Sequence, residues 1–224
     1  MNNRLLYILL LAGAGVLGVA AFFYFTKDDQ VLRRLPYINA VEQALKKQED
    51  TLGRHVISDF ALDGQDGKTV TRADFNNSIF VADFFFANCK SICPVMTSNL
   101  KKAYEKYKGR PDVKFISHTV DPERDSVEAL AAYAQRNGAE VAQWKFVTGD
   151  KKQLYQLARE SYFISDTKGD GGHDDFVHSQ NFALVDKNGH IRGIYDGTDS
   201  LEVVRLLTDM DVLLKEFGNT GTSK

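Results

Sequence analysis

The sequence predicts an α/β domain, a mixed sheet flanked by helices, behind an N-terminal transmembrane helix. Three observations carry that expectation. Residues 5–25 hold no charge, strand and helix patterns alternate from His55 onward, and the two cysteines, Cys89 and Cys93, follow the most continuously apolar strand pattern. With 224 residues, 43% hydrophobic and 26% charged, the chain suits one compact domain plus an appendage and is too long for a disulfide-stapled miniprotein. Its 28 Lys and Arg face 30 Asp and Glu, a net charge of -2. That balance offers no footprint for phosphate backbones, so nucleic acid is not an expected partner. Two cysteines are a site and not a framework.

The uncharged run would be about 31 Å long as a helix, close to the ~30 Å hydrocarbon core of a bilayer. A cleaved signal peptide would carry a shorter apolar region, about 7–15 residues, with a small-residue cleavage site. This run ends instead in Phe22-Phe23-Tyr24-Phe25, an aromatic edge suited to an interface. Arg4 precedes it, and Lys27 is followed at once by Asp28 and Asp29, so the positive-inside bias exports the rest of the chain. The start lacks the Arg- and Ser-rich amphipathic character of a transit peptide. The expected location is therefore a bacterial inner membrane, crossed once, with the C-terminal domain on the periplasmic side. The expected divisions are an anchor at 1–26, a charged tether at 27–53 broken by Pro36, a folded domain at 54–218 and a tail at 219–224.

Within the domain, residues 56–62 read as a strand, 63–68 as a turn and 69–71 as a short return strand. Residues 79–86 are nearly continuously apolar, the pattern of a strand covered on both faces. Pro94 stands where a first helical turn tolerates proline, and Met96, Leu100, Ala103 and Tyr107 follow at helical spacing until Gly109-Arg110-Pro111 stops the helix. A strand at 113–120 comes next. Asp125 and Glu128 are spaced as a capping box for a helix to about Asn137, with Gly138 as its left-handed exit. Then follow a strand at 144–148, a helix over about 151–161 and a Gly/Asp-rich loop at 165–175. Two strands, 180–186 and 191–195, turn through Lys187-Asn188-Gly189, and a helix over about 201–217 closes the domain. Strands alternating with helices imply a mostly parallel sheet, made mixed by the terminal hairpin. The order is that of the thioredoxin fold.

Two thiols four apart at a strand-to-helix turn lie near the positive end of the helix dipole, which favours thiolate. On helical backbone their Cα atoms would be about 6 Å apart, within the ~4.4–6.8 Å that a disulfide accepts. Such a pair can close reversibly, or point both sulfurs at one soft cation, and spacing leaves both open. A third ligand decides between them. His55 and His190 read as solvent-facing or packing residues and His118 as a hydrogen-bonded core imidazole. His173, among Asp170, Asp174 and Asp175, reads as part of a solvated acidic patch. His178 remains, just before a strand, on a long loop able to deliver it to the thiols. Two thiolates and an imidazole fit three-coordinate copper(I), or copper(II) with a fourth weak ligand. Zinc with an open position takes the same donor types, whereas an iron–sulfur cluster needs four protein ligands. Copper is the preferred reading.

The run Phe84-Phe85-Phe86-Ala87-Asn88-Cys89-Lys90-Ser91-Ile92-Cys93-Pro94, the run Val120-Asp121-Pro122-Glu123-Arg124-Asp125-Ser126 and His178-Ser179 before Leu184-Val185-Asp186 resemble the Sco/SenC family of membrane-anchored, thioredoxin-fold copper proteins. The likeness runs from about residue 55 to 217. It implies Cys89, Cys93 and His178 as copper ligands, with Asp121 standing behind them or facing a partner. It implies delivery of copper to the binuclear copper site of cytochrome c oxidase. Family members often carry an acidic residue immediately before the ligand histidine, where this chain has Val177.

The expected protein is thus a metallochaperone and not an enzyme with turnover. Its expected partners are the copper-site subunit of cytochrome c oxidase and a thioredoxin-like reductant that reopens a Cys89–Cys93 disulfide formed after export. The rival readings are a membrane-tethered thiol-disulfide oxidoreductase and a redox or copper sensor. Thioredoxin-type exchangers carry a cis proline just before the strand that opens the terminal hairpin. None of Pro36, Pro94, Pro111 or Pro122 stands there, and His178 does.

Overall fold

The computed structural model describes residues 34–38, 52–165, 169, 171–172 and 175–218. The chain divides into two units, Met1–Arg34 and Leu35–Lys224. Among the described residues no helix is long and apolar enough to cross a membrane; the anchor expected at 1–26 lies outside them.

Seven strands form one sheet in the order β2-β1-β5-β4-β3-β6-β7. They are β1 (Ala61–Gly64), β2 (Thr69–Thr71), β3 (Ile79–Phe85), β4 (Val113–Thr119), β5 (Trp144–Thr148), β6 (Asn181–Val185) and β7 (Ile191–Asp196). The helices are α1 (Cys93–Lys106), α2 (Val127–Asn137), α3 (Lys151–Gln156), which widens into a π turn at Leu157–Ser161, and α4 (Ser200–Gly218). β3 runs parallel to β4 and antiparallel to β6, and all seven of its residues are buried. A strand covered on both faces must be apolar throughout, and its alternate residues enter separate cores. Val81 and Phe85 pack with Met96 and Leu100 of α1 and Leu206 and Met210 of α4, while Phe80, Ala82 and Phe84 pack with Leu154 and Ala158 on the other face. The sheet is mixed, as the element order predicts.

Two expectations need correction. The first strand starts at Ala61 and not at residue 56. The Ile57 N–H donates to the Gly189 carbonyl at 2.9 Å and the Ser58 N–H to Ser161 Oγ at 2.8 Å. These groups are thus held by the β6–β7 turn and the end of the π turn. Ile57 and Phe60 are buried all the same, so these apolar residues serve the core without a strand ladder. The second correction concerns Asp125. The N-cap of α2 is Ser126, whose Oγ accepts the Ala129 N–H at 3.3 Å and donates to Glu128 at 2.8 Å. Asp125 is buried and points into the site described below. Gly138 ends α2 at φ 69°, the left-handed exit expected of it.

Residues 35–38, part of the stretch expected to be a tether, are docked on β7. The Ile38 N–H donates to the Ile191 carbonyl at 2.9 Å. Beside it the buried Arg192 guanidinium binds Asp186 at 3.0 Å and Glu216 at 3.0 Å, donates to the Leu35 carbonyl at 2.7 Å, and lies 4.3 Å over the Tyr37 ring. An ion pair taken out of water is costly to break from one side, because the remaining charge stays desolvated. Arg192→Met, which takes the guanidinium away from the buried Asp186 and from Glu216, should destabilise the domain by about 3–5 kcal/mol, read as a lower urea midpoint at unchanged m-value. A midpoint equal to that of the unaltered chain would show that the cluster holds no net stability.

His118 is fully buried, as its strand pattern predicts, stacked on Phe84 at 4.5 Å with Nδ1 3.2 Å from the Asp83 carbonyl. Its Nε2 has no partner among the described residues. Burial pushes the imidazole from its ordinary 6.5 down to about 3, opposed by the bond to Asp83. The unfolded chain then binds the proton more readily than the folded one, so stability is complete above pH 6.5 and declines as pH falls toward 3. His118→Phe should flatten that part of the profile in urea titrations between pH 6.5 and 4.5; an unchanged slope would refute the assignment.

Candidate metal centre

The central strand hands the chain to the thiols. After Phe85 the backbone turns, with the Cys89 N–H donating to the Phe86 carbonyl at 3.2 Å, and α1 begins only at Cys93 with Pro94 in its first turn. Cys89 therefore stands in the turn and Cys93 at the helix start, not both on helical backbone as the spacing suggested. Both are free thiols. Cys89 is half-buried, 3.6 Å from Ser91 Oγ, and Cys93 is buried.

This difference in depth splits their chemistry. Burial raises Cys89 somewhat, but hydrogen bonds from the Cys93 thiol and from the Ser91 and Cys93 backbone outweigh it and bring Cys89 down to about 7. Burial pushes Cys93 up to about 12, helped by the proton it gives to Cys89 and by the nearby Asp83 carboxylate. The expected dipole effect on both thiols is thus overridden at Cys93 by desolvation. Near neutral pH the half-buried Cys89 is therefore the thiol that ionises, while the covered Cys93 keeps its proton. Asp83, fully buried beneath the pair, is itself raised to about 7 by desolvation against a bond from Ser117.

Asp125 braces the thiol loop. Its carboxylate accepts the Ala87 N–H at 3.0 Å and the Thr119 hydroxyl at 2.6 Å, while Thr119 Oγ1 accepts the Asp121 N–H at 2.9 Å. One buried carboxylate therefore ties the turn before Cys89 to the loop after β4. Its spacing to Glu128 resembles a cap, and only its burial betrays this other use. Asp121 is half-buried and its carboxyl is raised by burial, with Arg124 acting in the opposite sense from 3.6 Å. It lines a cavity of about 220 Å³ together with Lys151 and Phe176.

The histidines separate as follows. His55 and His190 are buried packing residues, His55 Nε2 lying 2.8 Å from the Ser161 carbonyl and His190 Nδ1 3.2 Å from Asp186. His173 lies outside the described residues. His178 is exposed, its ring 4.8 Å from that of Phe176, which in turn meets Phe86 at 5.5 Å. β3 and β6 pair Phe80 with Val185 and Ala82 with Ala183, so the chain entering β6 comes from the end of β3 that leads to Cys89. The structure thus brings the thiols together and sets His178 on the same rim. Among the described residues no three His, Cys, Asp or Glu side chains converge closely enough to hold a metal ion.

Comparison with known proteins follows the same lines. The family model described as SCO1/SenC matches residues 48–208. The chain is 31% identical over 156 residues to the SCO1 protein homolog of Bacillus subtilis, covering 69% of this chain and 80% of that one. Among solved structures it resembles BsSco, described with a disulfide switch as a member of the Sco family of cytochrome c oxidase assembly proteins, at 30% identity and TM-score 0.60 over 73% of this chain and 95% of that one. Arabidopsis thaliana ScoI, solved with copper bound, shares the fold at 22% identity and TM-score 0.56 over 70% of this chain and 98% of that one.

The split thiols carry a direct test. In the reduced protein iodoacetamide should modify Cys89 first, at a rate rising through a midpoint near pH 7, while Cys93 stays protected in the folded chain. Mass spectrometry after timed quenching reads both sites, and equal labelling of the two would refute the asymmetry.

Proposed function

The chain belongs to the SCO1/SenC family, and we propose that it is a membrane-anchored copper carrier which delivers the ion to the binuclear copper site of cytochrome c oxidase. The observation that carries this reading is the pair of free thiols Cys89 and Cys93 at the rim of the sheet, with the His178 loop joined to the same edge through Phe176 and Phe86. Two sulfurs and an imidazole are the soft and borderline donors that copper selects. Cys89 meets the incoming ion as thiolate. Cys93 releases its proton on binding, so uptake liberates acid. His178 turns from Phe176 to supply the third donor, and Asp121 stands beside the same loop across their shared cavity, where a partner can reach it.

Oxidation of the dithiol closes the site, which calls for a thioredoxin-like reductant before loading. The uncharged run at 5–25 supports a single anchor in a bacterial inner membrane with the domain on the periplasmic side. Release to the acceptor is ligand exchange toward a better-matched site. The unequal thiols also suit a second reading, a thiol-disulfide oxidoreductase acting on a partner, with Cys89 attacking and Cys93 resolving the mixed disulfide.

Anaerobic titration of the reduced full chain with copper under a competing chelator separates the two. His178→Ala should weaken binding about tenfold or more, equal to a loss of at least about 1.4 kcal/mol. Unchanged affinity would remove His178 from the site, and partner-thiol reduction that persists in this variant under strict chelation would favour the oxidoreductase.

A further inference from the structure

We propose that Arg159 and Asp175 form a latch that aims His178 at the thiols, acting as positioning residues; this rests on the reading of His178 as the third donor. Residues 175–180 belong to no helix or strand, yet every second one is held from behind. Asp175 accepts both terminal nitrogens of Arg159, at 2.7 and 2.6 Å, and the Gly171 N–H at 2.8 Å. Two residues on, Val177 is buried in the core that also holds Tyr155, whose hydroxyl donates to the Val120 carbonyl at 2.8 Å. Two further, Ser179 Oγ donates to the Ile164 carbonyl at 2.7 Å. The residues between them turn the other way, Phe176 onto Phe86 and His178 onto Phe176. Alternation of this kind is that of extended backbone, so pins at 175, 177 and 179 direct 176 and 178 to the rim that bears Cys89.

Of the three pins the first is the strong one, a bidentate charged pair with both side chains largely buried. It springs from the π turn Leu157–Ser161, and such widened turns recur where a helix serves a site. It also sits farthest from the closure at Ser179. Pinning Asp175 leaves only the four residues up to Ser179 between one fixed point and the next. A shorter segment costs less entropy to hold, so the latch raises the population of the aimed arm.

The test is a double-mutant cycle on copper affinity in the reduced full chain, with His178→Ala, Arg159→Met and the combined variant, and Asp175→Asn as a nearly isosteric second way to open the latch. The expected result is a severalfold loss for either latch variant when His178 is present, and no loss when position 178 is Ala. Equal losses in both backgrounds, or none in either, would overturn the latch and leave His178 as ligand. An unchanged affinity in His178→Ala alone would instead overturn the ligand reading beneath it.

Discussion

The antiparallel register between β3 and β6 is the constraint on which the rest depends. β3 ends in the turn that carries Cys89, and β6 begins immediately after the arm that carries His178. Because Phe80 faces Val185 and Ala82 faces Ala183, strand pairing alone carries residues distant in the chain to one rim. Both strands are buried on the inner faces of the two cores, and a slip of one position would turn every β3 side chain to the wrong core. The register is therefore held by the whole hydrophobic interior, and the site inherits that rigidity.

Depth, more than the helix dipole, sets the chemistry of the thiols. Cys93 is covered by the α1 side of the core and lies above the buried Asp83, so water cannot stabilise its anion. Cys89, one helical turn earlier in sequence and outside the helix, keeps access to solvent and collects the hydrogen bonds. A pair arranged in this way serves a carrier and an exchanger equally well. An imidazole on the same rim is a group that disulfide exchange does not require, and it is the feature on which the proposed carrier role turns.

The supports of the rim come from elements with no cysteine or histidine ligand of their own. Asp125 fixes the turn before Cys89 through Ala87 and Thr119. Arg159, from the π turn, holds the arm that bears His178 through Asp175, and Tyr155, in the core that takes up Val177, holds the chain after β4 through the Val120 carbonyl. Each is a buried or largely buried polar side chain with hydrogen-bond partners of its own, and desolvation makes such bonds costly to leave unmade. The two loops of the site are thus positioned from behind by one layer of buried polar contacts.

Much of the fold was readable in the chain. Period-two and continuous apolar runs mark β3 to β7, Gly138 marks the end of α2, and the strand–helix alternation marks the sheet. The place of Cys89 and Cys93 after β3 was legible from the apolar run before them, and that of His178 from its position before β6. Those signals are local, because they depend on a residue's own type and its near neighbours. The extended segment at 56–60, the burial of Asp125, the unequal depth of the thiols and the pins behind His178 were not readable, since each depends on a partner tens of residues away. Burial and hydrogen-bond pairing belong to the folded chain and not to any window of sequence, so tertiary structure alone decided them.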